Sequence, residues 1–106
     1  MSAREVTVFD EFVKPGYGVI NNTIVEAMKL LAQTEGIFLD PVYTGKAMGG
    51  LIELVKRGYF KKEDVVVFIH TGGTAALFPY RQAVKPMVDL KEPPWTRPDW
   101  SDNLFL

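Results

Sequence analysis

A chain of 106 residues with 47% hydrophobic content and a net charge of −1 is sized for one small folded domain, which excludes extended disorder over most of its length. Its 12 basic residues are scattered rather than gathered into a stripe, so the electrostatic footprint of a nucleic-acid binder is missing. With no cysteine and one histidine, the composition excludes a disulfide framework, thiol catalysis and thiolate metal sites, and no metal site is expected.

In chain order, Glu5 to Phe9 (EVTVF) has strand-favouring residues at alternating spacing and stops at Asp10-Glu11, which predicts a short strand. VKPGYGVINN follows, a loop of turn formers with Tyr17 held between two glycines. From Asn22 the period changes: Asn22 or Thr23 can cap, Glu26 completes a capping box, and Ile24, Ala27, Met28 and Leu31 recur at helical spacing until Gly36. GIFL, ending at Asp40-Pro41, reads as a second strand leaving its sheet. Thr44 is the expected N-cap of a helix carried by Ala47, Met48, Leu51, Ile52, Leu54 and Val55, closing at Gly58.

Lys61 to Asp64 forms a polar turn, and Val65 to Ile69 (VVVFI) has the two-sided apolar character of a strand buried in a parallel sheet. His70-Thr71-Gly72-Gly73-Thr74 then leads into a helix-like run. The alternation predicts an α/β fold, a partial parallel sheet with flanking helices, over residues 1–80. Residues 81–106 hold both tryptophans, in PPW and RPDW, with no sustained period, and read as an extended Pro/Trp-rich tail. No apolar run approaches the roughly 20 residues that span a bilayer, and MSAREVTVFDE lacks the apolar core of a signal peptide, so the expectation is a cytoplasmic protein without membrane or nucleic-acid partners.

Ligands of open parallel sheets bind beyond the carboxyl ends of the strands, which brings forward Gly16-Tyr17-Gly18, Pro41-Val42-Tyr43-Thr44 and His70-Thr71-Gly72-Gly73. Each has a plainer reading. Tyr17 can be a surface aromatic, Tyr43 an edge of the core, Thr44 a helix cap, and His70 a structural histidine. Lys46 falls in a first helical turn, where the dipole disfavours a cation, so it either snorkels outward or meets an anion. The Gly72-Gly73 turn is also compatible with a phosphate or nucleotide, although its spacing matches neither common phosphate-binding fingerprint.

DPVYTGKAMGGLIELVKRGYF, followed by VVFIHTGGTAALFPY and preceded by PGYGV, resembles the D-cysteine desulfhydrase and 1-aminocyclopropane-1-carboxylate deaminase family from about Val6 to Tyr80. The resemblance implies a tryptophan-synthase-beta-like (fold type II) architecture, with pyridoxal phosphate in the cleft between two α/β domains, and this chain looks like the C-terminal portion. It implies catalytic roles for Tyr17 and Tyr43, which match the tyrosines of the GYG and PVY motifs, and cofactor contacts for Thr44, Thr71 and Gly72. The deaminases look like PVYEG where this chain has Thr44. A carboxylate there would keep the pyridine nitrogen protonated, whereas hydroxyls would leave it largely neutral. That difference favours β-elimination of D-cysteine or a related sulfur amino acid to pyruvate, ammonia and sulfide, with the deaminase reaction or a non-catalytic interaction domain as alternatives. No residue here matches the family's Schiff-base lysine, and Lys46 is not that lysine. The implied partners are a small-molecule amino acid and either a second copy or a complementing chain.

Overall fold

The structure is a computed structural model that describes residues 6–88. α1 (Asn22–Glu35) starts at Asn21, whose side-chain oxygen accepts the Ile24 N–H at 3.0 Å, one residue earlier than the sequence predicts. It ends at Gly36, which takes φ 66° and lets the Ile37 N–H reach the Leu31 carbonyl. α2 (Thr44–Lys56) packs along α1, and Gly58, at φ 71°, follows its end. Ile24, Ala27 and Met28 of α1, Met48 of α2 and the intervening Leu39 form the buried centre, and Leu31, Leu51, Ile52 and Phe68 pack around it.

α3 (Leu77–Val88) crosses the boundary expected near Tyr80, so residues 81–88 are helix rather than extended tail. Pro79 is tolerated in its first turn, where a backbone N–H has no intrahelical partner, and Pro86 comes near its end. Leu77 and Val84 lie seven apart on the face that meets the α1–α2 core, a period the prolines obscure in the sequence. The rest of the predicted tail, with Trp95 and Trp100, lies outside the described residues.

The expected partial parallel sheet is not formed, because there is no strand among the described residues. The segments read as strands, at 6–9 (Glu5 lies outside the described residues), 36–39 and 65–69, form neither strand nor helix, and Gly36 takes the left-handed conformation at φ 66°. Strand propensity gives a segment its shape, whereas a strand exists only when a neighbour accepts its hydrogen bonds. VVVFI is also not buried on both faces: Val65, Val67 and Ile69 are 89%, 79% and 76% exposed, and Phe68 alone packs onto the core. A short 3-10 turn at Glu11–Val13 docks the start of the chain on α2 through Arg57, which bonds both Glu11 and Glu53 at 3.0 Å and lies over the Phe12 ring.

Candidate active site

The site is built on Asp40. A proline follows it, so the chain must turn, and the Asp40 carboxylate fills that turn. Oδ2 accepts the N–H groups of Val42 (2.8 Å) and Tyr43 (2.7 Å), and Oδ1 accepts the N–H (2.9 Å) and the hydroxyl (2.6 Å) of Thr44. The Asp40 N–H donates in return to Thr44 Oγ1 at 2.9 Å. Asp40 and Thr44 are 0% and 1% exposed, yet no buried polar atom of a described side chain is left unpaired. Burial raises the Asp40 pKa, but the Thr44 hydroxyl and the three N–H donors outweigh it and hold the carboxylate below its ordinary range.

This network corrects the expectation for Thr44. Asp40, rather than Thr44, caps the N-terminal end of α2, with a negative charge at the positive end of the helix dipole. The Thr44 hydroxyl both donates to and accepts from Asp40, so it lies inside the turn and does not present itself to a cofactor. An aspartate before a proline reads as a turn former, and nothing in its spacing announces four donors, which is why the sequence reading missed it.

Tyr43 is 54% exposed, pushed outward by the same turn. Its hydroxyl meets that of Tyr17 at 2.5 Å, with ring centroids 5.9 Å apart in an edge-on arrangement. Tyr17 sits at the tip of a turn closed by the Val19 N–H on the Gly16 carbonyl, and Gly18 takes φ 70° there. The turn is tied down by Lys46, whose Nζ donates to the carbonyls of Val13 (3.1 Å) and Gly16 (2.7 Å). Thus the lysine answers its unfavourable helix position with oxygen dipoles rather than an anion. The Tyr17 hydrogen bond, then repulsion from Tyr17, with smaller contributions from Asp40 and Tyr80, raises the Tyr43 pKa. Tyr80, on α3, is a third tyrosine the sequence reading left without a role; its hydroxyl lies 2.8 Å from where a β-carbon on Gly18 would be.

His70 ties the third segment to the backbone just before Asp40. Nδ1 accepts the Gly72 N–H at 3.0 Å, so the proton sits on Nε2 and is donated to the Phe38 carbonyl at 2.9 Å. The histidine is therefore structural, the plainer of its two readings. Gly73, at φ 90°, lies so close to Asp40 that a β-carbon would be 2.8 Å from Oδ1. Thr71 is exposed, and the Gly72 amide is engaged by His70. The three predicted segments do converge, through Asp40, on one side of the α1–α2 pair.

The site thus presents two paired, exposed phenols and, on the segment seated on Asp40, an exposed threonine beside a glycine turn: flat surfaces and neutral donors of a kind suited to a heteroaromatic ring. The family model for pyridoxal-phosphate dependent enzymes matches residues 1–72. The chain belongs to that family. Its cofactor is pyridoxal phosphate, and the family implies the fold type II architecture, of which the helical layer is formed here and the sheet is not. The match takes in the Tyr17 turn, Tyr43 and Thr71, and ends within the glycine turn at Gly72. The residues present fit the ring side of the cofactor. Lys46, whose ammonium is bonded to two carbonyls, is not placed to act as a nucleophile.

Proposed function

We propose that this chain forms the substrate-side wall of a pyridoxal-phosphate-dependent lyase, and that the reaction is β-elimination of D-cysteine or a related sulfur amino acid. One water and one D-cysteine yield pyruvate, ammonia and hydrogen sulfide. The cofactor, when bound, supplies the electron sink that makes the α-proton acidic. Tyr17 and Tyr43 flank the reacting end of the substrate. A phenol is protonated at neutral pH, and their shared hydrogen bond raises the Tyr43 pKa further, so the pair offers a phenolic proton to the leaving sulfur and orients the substrate between two rings. Thr71 bonds the pyridine nitrogen through its hydroxyl, and the Gly72 turn lets the backbone approach the ring. Thr44 serves indirectly, by holding Asp40.

The observation that carries this reading is the meeting of the two phenols from loops 26 residues apart, on a surface open to a ligand. With Thr71, a hydroxyl rather than a carboxylate, assigned to the ring nitrogen, that nitrogen stays largely neutral and gives only a moderate sink, which favours elimination over cyclopropane ring opening. The test is to co-express the full chain with an N-terminal segment of a family member that carries the Schiff-base lysine, and to assay sulfide from D-cysteine and 2-oxobutanoate from 1-aminocyclopropane-1-carboxylate. Sulfide without 2-oxobutanoate is expected; the reverse pattern would make the chain part of a deaminase.

A second reading is favoured by the exposed row Val65, Val67 and Ile69 on a segment of strand-favouring sequence that pairs with no strand among the described residues. Here the chain is a non-catalytic interaction domain whose sheet is completed by another chain. It predicts stable association with the same N-terminal segment but no cofactor-dependent turnover.

A further inference from the structure

We infer that Lys46 is a positioning residue of the tyrosine pair: by bonding the Val13 and Gly16 carbonyls, its ammonium holds the turn that presents Tyr17 to Tyr43. The inference deepens the reading above and rests on it for its functional meaning, since only as a site does the pair need a fixed geometry.

Three observations carry it. First, Lys46 is the third residue of α2, where a cation opposes the helix dipole, so a compensating interaction is required to keep it there. The two carbonyl oxygens at 3.1 and 2.7 Å supply it. Second, the Gly16 carbonyl is the same oxygen that accepts the Val19 N–H and closes the turn, so Lys46 grips the turn at its first residue, directly before Tyr17. Third, little else holds the segment. Apart from the Val13 N–H on the Asp10 carbonyl three residues back, the hydrogen bonds that tie 13–19 to distant described residues are the two from Lys46 and the Tyr17–Tyr43 contact. Tyr17 is itself 76% exposed, so packing does not fix its ring.

Lysine suits the task better than a shorter or neutral residue. It must reach from the helix to two carbonyls three residues apart, and a point charge with several donors satisfies both oxygens at once. The two phenols lie on separate loops, and Lys46 sits three residues after Tyr43. One helical turn of α2 therefore carries both Tyr43's anchor and the clamp on Tyr17, which makes the pair a property of that turn.

The test uses the full chain labelled with ¹³C at tyrosine Cζ, with no cofactor added, and follows each phenol through an NMR pH titration. In the wild type, the hydrogen bond with Tyr17 should make Tyr43 titrate above the ordinary phenol range. Tyr17→Phe and Lys46→Met should each return it toward the ordinary value, and Lys46→Arg, which keeps charge and reach, should restore it. Amide exchange at Tyr17 to Val19 should be about ten-fold faster in Lys46→Met, while α1 and α2 keep their protection. Should Lys46→Met fail to fold, Lys46→Gln takes its place. A Tyr43 titration that is the same with and without the lysine charge would overturn the inference. If Tyr43 follows Lys46 but neither phenol responds to pyridoxal phosphate added to the chain bound to a lysine-bearing N-terminal segment, the clamp stands and the lyase reading falls. If both phenols respond and Tyr43 ignores Lys46, the clamp falls alone.

Discussion

Gly73 rests directly on Asp40: a β-carbon there would lie 2.8 Å from one carboxylate oxygen and 2.9 Å from the carboxyl carbon. The glycine turn after VVVFI is thereby seated on the acid that caps α2, and two motifs 33 residues apart share one buried group. Gly73→Ala meets both the φ of 90° and the carboxylate, so it should destabilise by about 1–3 kcal/mol. Gly36→Ala has only the positive φ to contend with, because nothing lies within 4 Å, and should cost less. Thermal melts of the two variants check the order.

Asp40 itself is the most sensitive single position. Asp40→Asn removes the charge from three backbone N–H groups and the Thr44 hydroxyl, and directs an amide at donors where one oxygen accepted. A loss of about 2–3 kcal/mol follows for a buried, charge-assisted acceptor. Chemical denaturation should show a lower midpoint with an unchanged slope.

The pH dependence has a definite sign. The Asp40 pKa is lowered in the folded chain, so the unfolded chain takes up its proton first, near the ordinary value of 3.8. The stabilisation from this group is complete above that value and falls as pH drops below it toward the folded pKa. Melting temperatures from pH 6 to pH 3 should therefore decline at the acid end, and Asp40→Asn should flatten the decline.

Thr44 separates the hydroxyl from the shape. Thr44→Val keeps the volume but leaves the Asp40 N–H without its acceptor and Oδ1 with one donor fewer, and should cost about 1–3 kcal/mol. Thr44→Ser keeps the hydroxyl and should cost less. If Thr44 touched the cofactor instead, valine would weaken pyridoxal phosphate binding more than it lowers the melting temperature, and paired melts with and without cofactor distinguish the two.

The helical half of the fold was legible because its signals are local. The periodicity of Ile24, Ala27, Met28 and Leu31, the glycine at 36 and the close at Gly58 each act within a few residues. The sheet was not, because VVVFI carries the propensity of a strand and no information on a neighbour, and its alternate residues stand in solvent. The start of α3 was legible in the helix-like run at 75–78, and only its continuation past Tyr80 was missed, where Pro79 and Pro86 masked the Leu77–Val84 period. At the site, Tyr17, Tyr43 and Thr71 stood out as residues at segment ends, but their joining through Asp40, Lys46 and His70 depends on contacts 30 or more residues apart for the lysine and the histidine. A capping acid and a lysine on carbonyls look the same in sequence as any surface charge.

The central claim is that the Tyr17–Tyr43 pair faces pyridoxal phosphate, and its most direct test is a cofactor titration of the ¹³Cζ-tyrosine chain bound to the lysine-bearing N-terminal segment. The resonances of Tyr17 and Tyr43 should shift together and saturate, and that of Tyr59, beyond the far end of α2, should stay in place. Saturable cofactor binding that leaves both Tyr17 and Tyr43 unmoved, or that moves Tyr59 instead, would contradict it.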